Sequence, residues 1–186
     1  MVAAALCALA GTAHAQQTAY APGQGSVNSA SVNIEVRASV RSRCGFAAGG
    51  APTGAIDQAD FDRTGFSRDI PIVLNCSGAS RVAVSSSSGG LSGGGASAPY
   101  EVALRLVADD GTVAAASCGS ERLVAGASGC AFAGTASESQ GLRLPGASTR
   151  ANGSYLRVSA PARSDAAELT AGRYADTLTV TVSIAP

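Results

Sequence analysis

The sequence predicts an all-β protein, a single β-sandwich domain of about seven or eight strands. Three observations point there. Apolar residues recur with period two in short stretches, as on strands with one buried face. With 23 glycines and 7 prolines in 186 residues, no stretch sustains an amphipathic helix. Turn-forming residues separate the alternating stretches at the spacing of a sandwich.

The elements follow in order. Residues 16–29 are polar, with Pro22 and two glycines, and read as a flexible leader. From Ala30 the pattern changes: Val32, Ile34, Val36, Ala38 and Val40 alternate with Asn33, Glu35, Arg37, Ser39 and Arg41. This predicts a long two-faced strand ending near Cys44. Residues 45–64 are a Gly/Pro/Asp-rich connection. Ile70, Ile72, Leu74 and Cys76 share one face of a second strand, and Pro71, which lacks a ladder donor, puts it at an edge or a start. Val82 and Val84 mark a third, short strand, and the Ser/Gly-rich run 85–99 reads as a flexible loop. Tyr100, Val102, Leu104 and Leu106 alternate in the next strand. Asp109-Asp110-Gly111 is a turn, and Val113 opens a weak strand after it. Leu142 and Leu144 mark a short strand before Pro145; Leu156, Val158 and Ala160 mark one before Pro161. The cleanest alternation comes last, with Tyr174, Leu178, Val180, Val182 and Ile184 against Thr177, Thr179, Thr181 and Ser183.

Composition excludes much chemistry. Residues 1–15 read as a secretion signal, apolar from Val2 to Ala10 and ending Ala13-His14-Ala15 with small residues at the cleavage positions. The remainder contains no His, Lys, Met or Trp. An imidazole-assisted nucleophile, a Schiff-base lysine and a His-bearing metal site are therefore not expected, and no cofactor is. The 13 basic residues, all arginine, balance 13 acidic ones, so there is no basic run for nucleic acid or a membrane surface. No apolar stretch after the signal reaches the ~18 residues of a membrane span. Carboxylates are what remains for an enzyme. Asp57, Asp60 and Asp62 cluster, as do Asp109 and Asp110, but both groups lie among turn residues, where Asp ordinarily serves the backbone. The Gly-rich run 85–99 lacks the Gly-Lys-Ser/Thr ending of a phosphate loop. The chain is not expected to be an enzyme.

Four cysteines follow the signal: Cys44, Cys76, Cys118 and Cys130. An even count in an exported chain predicts two disulfides, and no CxxC spacing suggests a redox or zinc motif. Four cysteines allow three pairings. The nearest-neighbour set, 44–76 with 118–130, is preferred. Aromatics make up only 4% of the chain, so the core must come from small aliphatics, and staples matter more than usual.

Three stretches resemble the spore coat protein U domain, the module of archaic chaperone–usher pilus subunits. They are the alternating residues 31–40 with Cys44-Gly45 close behind, Ile70-Pro-Ile-Val-Leu-Asn-Cys76, and residues 169–182. The last carries the most specific run, with Gly172, Tyr174, Asp176 and Thr177 leading into the final strand. Residues 153–162 look like the family's penultimate strand. The resemblance implies an incomplete immunoglobulin-like β-sandwich that lacks its final strand and is completed by donor-strand complementation. It divides the chain into a signal (1–15), a leader (16–31), a donor segment (32–40) and a sandwich (41–186). It casts Val32, Ile34, Val36, Ala38 and Val40 as the donor face, and Leu178, Val180, Val182 and Ile184 as the strand lining the acceptor groove. The partners implied are neighbouring subunits, a periplasmic chaperone and an outer-membrane usher, with export through the periplasm to a surface fibre. Cys118 and Cys130 lie outside the family's pattern. The alternative is a stand-alone secreted adhesive, coat or matrix domain of the same fold.

Overall fold

The structure is a computed structural model and describes residues 34–163 and 169–185. The chain divides into two compact units, residues 1–39 and residues 40–186. Of the first, residues 34–39 are described; they have no regular secondary structure.

The second unit is built almost wholly of antiparallel strands. In chain order they are β1 (Phe66–Ile72), β2 (Ser80–Ser86), β3 (Leu91–Gly93), β4 (Ala96–Ala98), β5 (Glu101–Val107), β6 (Val113–Gly119), β7 (Leu142–Leu144), β8 (Ser154–Ala160) and β9 (Leu178–Ile184). Among the described residues, helix is confined to one turn, Phe61–Thr64, and a 3-10 turn, Ser120–Arg122. One sheet has the order β1-β8-β5-β6, a second β7-β2-β9, and β3 and β4 form a small hairpin.

Both larger sheets feed one core. Val82 and Val84 of β2 join Val102, Leu104 and Leu106 of β5 and Leu156 and Val158 of β8 in a single buried cluster. The period-two pattern is the cause: in β5 and β8 every second side chain is buried, and the intervening ones are half-buried or exposed. Leu123 and Phe132, from the segment between β6 and β7, complete the cluster and are fully buried.

The expected strands at 70–76, 82–84, 100–106, 113, 142–144, 156–160 and 178–184 all lie where β1, β2 and β5–β9 run or adjoin. Three expectations need correction. The long strand predicted up to Cys44 does not form: residues 34–42 have no ladder partner among the described residues, and backbone pairing begins only where Arg43 and Gly45 accept from Ser77 and Asn75. Alternation specifies two faces but not a partner. The run 85–99 is not one loop, because it contains the β3–β4 hairpin. Gly94 and Gly95 both take positive φ, 56° and 78°, as a two-residue type I′ turn requires. Tyr174 lies before the final strand rather than in it.

Pro71 sits on β1, an edge strand paired only with β8, where its missing N–H costs no ladder bond. The face defined by Ile72, Leu74 and Cys76 is buried, but the ladder ends at Ile72. Leu74 and Cys76 continue it through single bridges to Phe46 and Ser148.

Both preferred disulfides are present: Cys44–Cys76 closes a separation of 32 residues and Cys118–Cys130 one of 12. The first ties residues 43–50 alongside 73–77, where Ala47 N–H donates to Val73 and Asn75 N–H donates to Gly45. The second links β6 of the larger sheet to the segment carrying Phe132.

Candidate functional site

The most distinctive surface in the second unit is the outer edge of β9. Every residue of β9 pairs antiparallel with β2, from Ser86–Leu178 to Ser80–Ile184. The bonds at the two ends set the phase. Ser87 N–H donates to Thr177 C=O at 3.0 Å, and Ala185 N–H donates to Ala79 C=O at 3.0 Å. Odd-numbered residues of β9 therefore bond to β2. The N–H and C=O groups of Leu178, Val180, Val182 and Ile184 point the other way, and no backbone partner meets them among the described residues.

These residues also carry the strand's apolar side chains. Leu178, Val180 and Val182 pack against the core but are only partly buried, whereas the facing Val82 and Val84 of β2 are fully buried. Ile184 is 38% exposed.

Edges usually carry protection against further pairing. On β1 it is Arg68, Asp69 and Pro71. The outer part of β6 is three consecutive alanines, a poor strand template, and β7 is three residues long. β9 reads Leu-Thr-Val-Thr-Val-Ser-Ile, β-branched throughout its middle, with no charge and no proline.

The approach to β9 is held by a polar cluster. Asp176 accepts from Ser86 Oγ (2.5 Å), Ser87 Oγ (2.7 Å), Ser88 N–H (3.1 Å) and Oγ (2.9 Å), Tyr100 OH (2.7 Å) and Thr177 N–H (2.7 Å). Partial burial pushes its carboxyl up, but the hydroxyls of Ser86, Ser87, Tyr100 and Ser88 outweigh that and hold it down at about 2. Burial, followed by the bond to Asp176, pushes the Tyr100 phenol above its usual range. One carboxylate thus fastens the approach to β9 to the end of β2 and to Tyr100, the residue before β5. Tyr174 donates its hydroxyl to Thr170 C=O at 2.9 Å and packs edge-on against Phe61. Gly172 is exposed and needs no positive φ. Gly93 is the demanding glycine here, since a Cβ there would strike the Arg173 carbonyl.

This cluster was not foreseen. Ser86, at the end of β2, and Ser87 and Ser88, in the run whose composition predicts a loop, supply most of the donors that Asp176 requires. A short run of hydroxyls is too common a pattern to reveal which carboxylate it serves.

A second carboxylate does similar work at the opposite turn. Asp109 accepts from the N–H groups of Thr149, Arg150 and Ala151 and from the Thr149 hydroxyl, at 2.8–3.0 Å. The Thr149 and Arg150 backbone bonds lead in lowering it to about 2. Asp110 accepts from Thr112 N–H in its own turn. These are the backbone-serving roles expected of turn aspartates. An NMR pH titration should therefore show the Thr149, Arg150 and Ala151 amides shifting together with a midpoint near 2; a midpoint near 4 would contradict the bonds described.

The predicted donor residues stand differently. Val32 lies outside the described residues. In the first unit Ile34 and Val36 are 79% and 85% exposed, Ala38 is also exposed, and Glu35 pairs with Arg37 at 2.7 Å. In the second unit Val40 is 81% exposed.

Surface depressions are shallow. One of about 280 Å³ is lined by Asp109 and residues 149–151, and one of about 290 Å³ lies beside Tyr155, Arg105 and Ser117. Among the described residues, no group of three or more His, Cys, Asp or Glu side chains could hold a metal ion, and no helix is long and apolar enough to cross a membrane. No family model matches the sequence, and neither a curated protein nor a solved structure matches it.

Proposed function

We propose that this chain is the structural subunit of a secreted surface fibre, polymerising by donor-strand exchange after a periplasmic chaperone delivers it to an outer-membrane usher. In this reading the sandwich is immunoglobulin-like and lacks its final strand. The observation that carries it is the unprotected outer edge of β9, where backbone groups unpaired among the described residues and half-buried apolar side chains belong to the same residues. An added strand bonds to the first and covers the second. The resemblance to the spore coat protein U domain names the occupant as residues 31–40 of another subunit. That segment offers an apolar residue at every second position, and Ile34, Val36 and Val40 are exposed. Two disulfides fit an exported protein in an oxidising setting.

Burying three or four aliphatic side chains contributes on the order of 1.5–3 kcal/mol each, before the cost of association. The test compares the chain from residue 16 with one starting at residue 41. The truncated form should bind a synthetic peptide of residues 31–40 and not one carrying Ile34→Arg and Val36→Arg. The longer form should give SDS-resistant ladders. A stable monomer that ignores the peptide would overturn the reading and favour a stand-alone coat or adhesive domain.

A further inference from the structure

The other side of β2 is closed in an unusual way. Its even-numbered residues point their backbone groups away from β9. Strand β7 is short and covers only Ser80 and Val82, opposite Leu144 and Leu142. Val84 and Ser86 would be left open. They are covered instead by pieces of the segment between β6 and β7. Val84 N–H donates to Phe132 C=O at 2.7 Å, Gly134 N–H donates to Val84 C=O at 3.0 Å, and Ser86 N–H donates to Leu123 C=O at 2.9 Å. The Val84–Ala133 bridge is parallel, unlike every strand ladder among the described residues.

Two features hold these pieces in place. Leu123 and Phe132 are fully buried plugs, each adjoining or forming one of those bonds. The Cys118–Cys130 bridge anchors the segment to β6, in the opposite sheet, two residues before Phe132.

We infer that the disulfide-closed segment 118–134 is an edge guard: a patchwork strand, pinned across the sandwich, that occupies the β2 side of the smaller sheet and leaves β9 as the edge where another chain adds. Taking strand addition as the mode of association, the guard makes growth of that sheet one-sided. A second open edge on the same sheet would allow side-to-side pairing in place of a linear fibre. The bridge is the element that restricts opening. Closing a loop of 12 residues disfavours the open form by on the order of a hundredfold in the loop-closure account.

Amide hydrogen exchange on the full chain tests this. In C118S/C130S the Val84, Ser86 and Gly134 amides should exchange about a hundredfold faster through local opening, losing protection at a urea concentration where β5 and β8 amides still keep theirs. Phe132→Ala, which retains the bridge, should loosen the same three amides. Unchanged Val84 and Ser86 exchange in both variants would overturn the guard. So would Val84, Ser86 and Gly134 exchanging only together with β5 and β8, at the free energy of global unfolding, because the bridge would then be a staple of the whole fold. Faster exchange at the guard amides, with no binding of the residue 31–40 peptide to β9, would leave the guard standing and remove strand addition.

Discussion

Asp176→Ala should lower the unfolding free energy by about 2–4 kcal/mol, more than any other single exposed or half-exposed polar substitution in this protein. The variant strips one acceptor from donors on β2, the loop after it and Tyr100. The serine hydroxyls can turn toward water. The Tyr100 hydroxyl cannot do so freely, because Tyr100 is only 5% exposed. Tyr100→Phe, which removes one donor and leaves the carboxylate its others, should cost about 1 kcal/mol. Asp176→Asn keeps the size but turns an N–H₂ group toward donors, so it should rank near Ala. Urea unfolding at constant m-value measures all three; a shift below about 0.5 kcal/mol for Asp176→Ala would sink the assignment.

The same cluster sets an acid limit. The Asp176 carboxyl lies at about 2 in the folded protein, below its ordinary 3.8. A depressed carboxyl contributes stability above its unfolded value and loses it as pH falls through the folded one. The loss should therefore run from about pH 4 to about pH 2 and amount to on the order of 1–2 kcal/mol after allowance for solvent screening. It should be absent in Asp176→Ala.

The second large effect is expected at the Cys44–Cys76 bridge. C44A/C76A should destabilise the protein by about 3–5 kcal/mol. Loop closure over the 32-residue separation accounts for about 3.7 kcal/mol. Cys76 is also fully buried among core side chains, and truncation to alanine there leaves a small void. Removing Cys118–Cys130 should cost less, about 2.8 kcal/mol on the same account for a 12-residue separation. Thermal or urea unfolding of the two double variants gives the ranking; equal losses would contradict it.

The two bridges differ in legibility for a physical reason. The cysteine count predicts two disulfides but leaves three pairings open, of which the preferred nearest-neighbour set is the one present. What each bridge holds was not legible there. Cys76 sits on an alternating apolar face, so its burial was readable, and it is buried. Phe132 lies in Ala131-Phe132-Ala133, with no periodicity around it, yet it is a fully buried plug. A plug is defined by the hole it fills, and the hole is made by core residues distant in the sequence.

The β9 edge divides in the same manner. Its strand character, its apolar face and its lack of charge were legible in Leu178, Val180, Val182 and Ile184. That its outward backbone groups go unpaired among the described residues depends on which strand lies beside it. Conversely, the equally clean alternation of residues 32–40 does not yield a strand where it is described, because a strand forms only against a partner's backbone.

By itself, then, the sequence determined the all-β class, the inward face of the strands and the poverty of catalytic groups. Side-chain chemistry and the two-residue period of an extended chain act locally, and each leaves a mark in neighbouring residues. The tertiary structure alone decided the order of strands, which edge stays open, how β2's other side is closed, and that Asp176 gathers Ser86, Ser87, Ser88 and Tyr100. Hydrogen bonds between residues some 76 to 90 positions apart leave no local mark, since any of several partners would satisfy the same side chain until folding brings one of them near.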